Sequence, residues 1–170
     1  SLAAWPVING LLFLFRGIGI AFNEVVVARI EDPGAEPALR RFAFTAAALG
    51  SGSFLLLALT PASEFWLATV SGLEPGLVGF GRSALWIGMF LPGLAFLQSL
   101  HTGILVHARV TRAVTASVIL SLAVLGGVVA GGTILGVLPG LHVALVGVSI
   151  GPAVQVLFLA RRSARMPSAH

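Results

Sequence analysis

Charged residues are scarce in this chain, and their scarcity excludes a soluble globular domain. Only 9% of the 170 residues are charged and 57% are hydrophobic, whereas a typical soluble domain carries about 25% charged residues. A soluble core of this size cannot bury so many apolar side chains. The composition therefore predicts a protein whose solvent is lipid, folded as one bundle rather than several domains.

Cysteine and lysine are missing altogether. Without cysteine, the chain forms neither disulfides nor thiolate metal sites. The arginines are scattered among loops rather than clustered on one face, so we predict no nucleic-acid binding. The four histidines lack metal-ligand spacing, and no phosphate-binding loop, nucleophile elbow or paired-carboxylate constellation is present. We therefore expect no enzyme activity, no cofactor and no bound metal.

Five segments are long enough and apolar enough to cross a bilayer, which takes about 20 residues. They cover residues 4–30, 38–59, 77–106, 113–135 and 141–160. Backbone groups in lipid must pair within a helix or a closed barrel, and these segments are continuously apolar rather than alternating, so we predict helices. The fold is therefore predicted to be all-α: a single polytopic membrane bundle of about five transmembrane helices over residues 1–170.

Proline and glycine mark the connectors between these segments. We predict breaks at residues 32–34, at Pro61 and at residues 139–140. The longer connector, residues 62–76, contains Trp66 and is predicted to hold a short helix at the membrane interface, where tryptophan is enriched.

Most of the arginines fall on one side of the membrane if all five segments cross it. This set is Arg29, Arg40, Arg41, Arg109, Arg112, Arg161, Arg162 and Arg165. Because basic residues concentrate in cytoplasmic loops, the N-terminus is predicted to lie outside and the C-terminus in the cytoplasm. No signal sequence precedes this outside N-terminus, and the chain starts at Ser1 rather than Met. We therefore expect the C-terminal part of a larger transporter.

Polar residues recur every seven positions in the first segment. Asn9, Arg16 and Asn23 share one helical face, because each seven-residue step drifts by only about 20°. Arg16 lies mid-segment, where insertion scales put the cost of an arginine at about 2.5–3.5 kcal/mol. Glu24 lies about 12 Å away along the axis, too far for an ordinary pair within one helix.

Two interpretations of this stripe stay open at the level of sequence. Asn9, Arg16, Asn23 and Glu24 line a cavity that handles an anionic or polar substrate. Alternatively, Arg16 is a structural arginine satisfied by neighbouring helices, and Asn23 and Glu24 are simply wet near the cytoplasmic end of the helix.

The third and fifth segments add further polar residues and prolines. Gln98 and His101, three residues apart, are predicted to share a cavity-lining face. His101 either relays protons or only snorkels or hydrogen-bonds a neighbour. Pro92 and Gly93 predict a kink in the long third segment, and Pro152 is a second candidate hinge.

Three stretches carry a resemblance to a known family. They are FRGIGIAFNEVVVARIEDPGAEPALRRFAF, LPGLAFLQSLHTGILVHARVTRAVTASVIL and a terminal span ending in LARRSAR. They resemble the multidrug/oligosaccharidyl-lipid/polysaccharide flippase superfamily, which includes the multidrug and toxic compound extrusion (MATE) transporters and the polysaccharide exporters. Members typically have twelve or more spans in two six-helix lobes. The resemblance implies that this chain is the C-terminal lobe without its first helix.

The same resemblance implies a function. It indicates a secondary transporter or flippase in the bacterial inner membrane, which exports an amphipathic, polysaccharide-linked or drug-like substrate by alternating access. Na⁺ or H⁺ would be the coupling ion, and the N-terminal lobe and the lipid bilayer would pack against this chain. No site residue of the family maps onto a position here. The alternative is a non-transporting membrane subunit or scaffold that packs against partner helices, and an intramembrane enzyme acting on a lipid ranks third.

Overall fold

Helices account for the regular structure in the computed structural model, which describes residues 4–136 and 139–165. They are α1 (Ala4–Arg29), α2 (Ala35–Leu59), α3 (Ala62–Phe65) with a π-helical turn (Trp66–Val70), α4 (Pro75–Gly88), α5 (Leu91–His107), α6 (Thr111–Leu135) and α7 (Gly140–Ser163). No strand occurs in these residues. Five stretches are long and apolar enough to cross a membrane, α4 and α5 together forming the third. The predicted all-α bundle of five spans is therefore confirmed.

The third span differs from the continuous kinked helix that the sequence predicted. It consists of two helices, and α4 ends at Gly88 while α5 begins at Leu91. Proline at position 92 has no N–H to donate to the carbonyl of Gly88 and disfavours helical geometry in the residue before it. The interruption therefore falls in the turn just ahead of Pro92.

The first, third and fifth spans run in the same direction. Along α1, Leu12 packs on Gly88, Gly19 on Ala95 and Val26 on Gly103, so the positions rise together on both partners. Along α7, Ser149 bonds to Ile87 and Ser163 to His101, again in rising order. The contacts therefore place the two ends of the described chain on opposite faces of the bundle.

The second and fourth spans run the other way. The first half of α2 packs with Leu100 and Ile104, near the end of α5, whereas Phe54 packs with Leu85 and Leu91. In the α6–α7 hairpin, Gly132 meets Val143 and Gly151 meets Ser121, which is falling order. These directions are those of five successive crossings.

The outer surface of the bundle is apolar. Large exposed hydrophobic side chains include Phe13, Leu14, Leu49, Ile119 and Ile134, on three different long helices. Such a surface suits hydrocarbon and not water. The two larger apolar clusters lie between α1, α2, α4, α5 and α7, and a smaller one joins α5, α6 and α7.

Eight of the ten arginines lie at one end of this bundle, here called the basic end, because the helix directions bring the 30–34 and 108–110 connectors and the C-terminal end of α7 together. His107 Nδ1 lies 3.7 Å from Glu31 Oε1 and joins the first two of these regions. At the opposite end, Arg82 pairs with Glu64 and donates to the carbonyl of Leu59 at 3.1 Å. The Arg82 charge is therefore neutralised where it sits.

Candidate functional site

A polar cleft of about 240 Å³ lies between α1 and α5. Here, the polar cleft means the space lined by Ile20, Asn23, Glu24, Ala95, Gln98, Ser99 and Thr102. One carboxylate, two carboxamides and two hydroxyls therefore meet between two membrane-spanning helices. Polar residues inside a membrane bundle are costly and generally mark ligand or ion pathways.

Helical spacing and glycine build this cleft. Gln98 and Thr102 are one turn apart on α5, so both side chains reach the same side of the helix. A Cβ at Gly19 would lie 2.8 Å from Ala95 Cβ and 3.0 Å from Phe96 N, which only glycine avoids. The backbones therefore approach closely here, and the hydroxyl of Ser99 donates to the carbonyl of Ile20 at 3.4 Å.

Two buried polar atoms on the cleft side of α1 have no hydrogen-bond partner in the described part of the chain. They are Nε of Arg16 and Oδ1 of Asn23. Leaving a buried polar group unpaired costs about 1–3 kcal/mol. These two atoms are therefore the places in α1 where an external partner would be stabilised most.

The predicted stripe on α1 is only partly gathered into the cleft. Asn23 and Glu24 line it, Arg16 lies two turns away, about 10 Å along the axis, and Asn9 is exposed still further along. Arg16 is half-buried and sits between Leu12 and Gly19, the two residues that touch the third span on either side of its interruption. Arg16 is therefore level with the break and not with the cleft.

His101 faces away from the cleft, although Gln98 lines it. His101 is buried, with 6% of its surface exposed, and its Nδ1 lies 2.9 Å from the hydroxyl of Ser163 on α7. A step of three residues leaves two side chains about 60° apart around a helix. This difference is enough for Gln98 to face α1 while His101 faces α7. The structure therefore does not bring His101 together with Gln98, and the hydrogen bond matches the structural alternative.

Side chains from two neighbouring helices form hydrogen bonds with backbone groups on either side of the break in the third span. The N–H of Gly93, in the first turn of α5, donates to Ser51 Oγ of α2 at 3.1 Å. The carbonyl of Ile87, in the last turn of α4, accepts from Ser149 Oγ of α7 at 3.1 Å. Helix ends leave such groups without intrahelical partners, so these serines let a span be interrupted inside a membrane.

The three residues predicted as hinges occupy different settings. Pro92 and Gly93 are buried in the first turn of α5, directly after the break. Pro152 lies inside α7, which continues through it to Ser163. The discontinuity of the backbone is thus in the third span, and their roles as hinges stay predictions.

Sequence reasoning overlooked Ser51, Ser99 and Ser149. Each makes a hydrogen bond to the backbone of another helix. A single serine in an apolar span gives no signal by itself, since its hydrogen-bond partner lies on a different span. A search for hydroxyls at the depth of Pro92 on the neighbouring spans would have found two of them.

The polar cleft presents oxygen and amide groups from five side chains. No group of three or more histidine, aspartate or glutamate side chains able to hold a metal ion occurs among residues 4–136 and 139–165. Glu24 is the acidic residue of the cleft, and its amide and hydroxyl neighbours can both donate and accept. Such a set can hold a polar or cationic group.

Comparison with known proteins gave no match. No family model, no curated protein and no solved structure matches this chain.

Proposed function

We propose that this chain is the C-terminal lobe of a secondary transporter or flippase of the multidrug/oligosaccharidyl-lipid/polysaccharide superfamily. Its substrate would be amphipathic, polysaccharide-linked or drug-like and would move by alternating access. The observation that carries this proposal is the polar cleft, with an unpaired amide oxygen at Asn23, between two membrane-spanning helices. A passive bundle gains nothing from leaving that atom without a partner.

The interrupted third span supports the same function. Transporters frequently build their sites from discontinuous helices, where irregular backbone lines a cavity. Here the break lies one turn from Ala95, which is part of the polar cleft. A change at the break would therefore reach the cleft through α5.

We place the basic end in the cytoplasm and the opposite end outside. The concentration of arginines at one end and the pairing of Arg82 with Glu64 at the other support this orientation. The bacterial inner membrane is the proposed location. Glu24, the carboxylate of the cleft, is the proposed site of the coupling ion, Na⁺ or H⁺.

Transport by reconstituted protein tests this proposal. The full protein is placed in vesicles, and movement of ethidium and of a fluorescently labelled phospholipid is measured. We expect Arg16→Ala and Glu24→Gln each to lower the rate of the transported probe at least tenfold, with Arg16→Lys retaining more activity. Leu14→Ala, on the lipid-facing side of α1 and 61% exposed, is the matched control and should be unchanged.

Two results would overturn this proposal. One is full transport by both Arg16→Ala and Glu24→Gln in protein that is folded and inserted normally. The other is wild-type protein that moves neither probe faster than empty vesicles.

The alternative, a non-transporting scaffold, has its own supporting observation. Gly126 and Gly127 of α6 face open space, with no atom within 4 Å of an added Cβ, and small residues often mediate contacts between membrane helices. In a scaffold, however, the polar cleft would be covered by protein.

Thiol labelling separates the two functions. The chain has no cysteine, so single cysteines at Asn23, Gln98 and Leu14 report on one position each. A transporter predicts that a membrane-impermeant thiol reagent labels Asn23→Cys and Gln98→Cys but not Leu14→Cys, which faces lipid. If none of the three positions is labelled, the scaffold is favoured.

A further inference from the structure

A second cavity, of a different kind, lies on the other side of α1. It is an apolar groove of about 500 Å³ between α1 and α2, with Phe96 of α5 at its base. Here, the apolar groove means the space lined by Ile18, Ala21, Phe22, Val25, Ala38, Leu39, Phe42 and Phe96. This volume is within the roughly 300–1,000 Å³ of small-molecule sites in proteins.

The groove opens to the hydrocarbon of the membrane. Ile18 and Phe42, on its two walls, are 70% and 56% exposed. Its lining has no charged or polar side chain, so it suits an acyl chain and excludes a hydrated substrate. Each methylene buried there is worth about 0.8 kcal/mol.

Arg29 stands at the mouth of this groove, at the basic end, and Arg41 borders the groove further in. On α1, Ile18, Phe22, Val25 and Arg29 follow one another at spacings of four, three and four, so Arg29 continues the wall of the groove. On α2, which runs in the opposite direction, Arg41 lies between Ala38 and Phe42 of the groove wall. Its exposed side chain tilts toward the N-terminus of α2, which is at the basic end. A ligand with an apolar chain in the groove would therefore place its head beside these two guanidinium groups.

Both arginines are available to an anion. Arg41 is exposed and has no ion-pair partner among the residues that the structure describes. Arg29 lies 3.3 Å from Asp32 in a pair that is more than half exposed on both sides, and such pairs are weak. Arg40, by contrast, is held by Glu36 at 2.8 Å.

We propose that the apolar groove is a binding site for an anionic phospholipid, with an acyl chain between α1 and α2 and the phosphate at Arg29 and Arg41. Arginine is well suited to phosphate because its fork of N–H groups matches the geometry of the oxygens. Anionic lipids are also attracted to basic segments at the membrane surface. The site does not depend on the transport function proposed above.

Spin-labelled lipids test the site directly. The full protein is reconstituted into nanodiscs of phosphatidylcholine, and electron paramagnetic resonance measures the motionally restricted fraction of labelled phosphatidylglycerol and of labelled phosphatidylcholine. We expect wild-type protein to prefer phosphatidylglycerol. Since each arginine near the surface contributes about fivefold, Arg29→Gln with Arg41→Gln should remove most of that preference.

Two further variants separate a built site from diffuse attraction. Arg29→Lys with Arg41→Lys keeps the charge and should retain most of the preference. Arg161→Gln with Arg162→Gln removes equal charge elsewhere at the basic end and should lower the preference much less, because these arginines do not border the groove. Ala38→Trp fills the groove and should lower the bound phosphatidylglycerol while both arginines remain.

Several outcomes would overturn the proposal. No preference for phosphatidylglycerol in wild-type protein would do so, as would an equal loss in the Arg161 and Arg162 variant. A dimer of this chain that Ala38→Trp dissociates would show that a second copy, and not a lipid, occupies the groove. These results are independent of the transport rates, so failure here leaves the proposed function standing.

Discussion

The α1–α5 and α6–α7 contacts are both packed through glycines, but they differ in whether their buried polar groups are paired. Glycines at Gly19 and Gly103 let α1 approach α5, and glycines at Gly147 and Gly151 let α7 approach α6. In the α6–α7 contact, Nε2 of the buried Gln155 donates to the buried Ser117 Oγ at 3.2 Å.

The α1–α5 contact instead leaves buried atoms of Arg16 and Asn23 without partners in the described residues. Close packing alone therefore does not mark a functional contact. The unpaired polar atoms of α1 are the difference between these two contacts. Trp66 Nε1 and His142 Nδ1, elsewhere in the described residues, are buried without partners as well.

Adding side-chain volume at the two contacts should have the largest effect. Gly19→Val places a Cβ against the Phe96 backbone, and Gly151→Val places one 3.0 Å from the carbonyl of Ser121. Overpacking of this kind costs about 1–3 kcal/mol, so both variants should lower the free energy of unfolding measured by detergent titration.

Gly17→Val and Gly127→Val are the matched controls, since an added Cβ at either position meets no atom within 4 Å. They carry the same change in helix propensity, and their stability should stay close to that of the wild type. Equal losses in Gly17→Val and Gly19→Val would show that propensity and not packing controls α1.

Replacing the paired glutamine should have a smaller effect. Gln155→Met keeps the volume and removes the bond to Ser117. Hydrogen bonds between membrane helices contribute about 0.6 kcal/mol on average, so a loss of that order in the free energy of unfolding is expected. An unchanged free energy would mean that the α6–α7 contact depends on packing alone.

Replacing the unpaired asparagine should have the smallest effect on folding. Asn23→Leu removes an amide whose oxygen has no partner in the residues described, so the free energy of unfolding should be unchanged or slightly higher. Transport, in contrast, should fall if the polar cleft binds substrate. A destabilisation as large as that of Gln155→Met would contradict the difference between the two contacts.

The sequence predicted the spans well because hydrophobic length and proline-glycine breaks are local signals. The first span was predicted at residues 4–30 and α1 covers Ala4–Arg29. The third span was predicted as one kinked helix, but its backbone is interrupted two residues ahead of Pro92. This interruption is stabilised by serines of two other helices. Those partners are distant in the chain and carry no local pattern.

The candidate site was predictable only in part for a similar reason. Asn23, Glu24 and Gln98 stood out as polar residues within apolar spans, and all three border the polar cleft. Which helix each would face depends on the packing order, which periodicity within one helix does not contain. His101 shows the consequence: about 60° round α5 from Gln98, its expected neighbour, it meets α7 instead.

The two serines at the break have a mechanical consequence. Because Ser149 holds the last turn of α4 and Ser51 holds the first turn of α5, the two half-helices are anchored to different neighbours. A displacement of α7 relative to α2 would therefore first change the conformation of the short segment between Gly88 and Leu91. A hydroxyl can exchange hydrogen-bond partners by rotation about one bond, so both serines can shift their contacts without unwinding either half-helix.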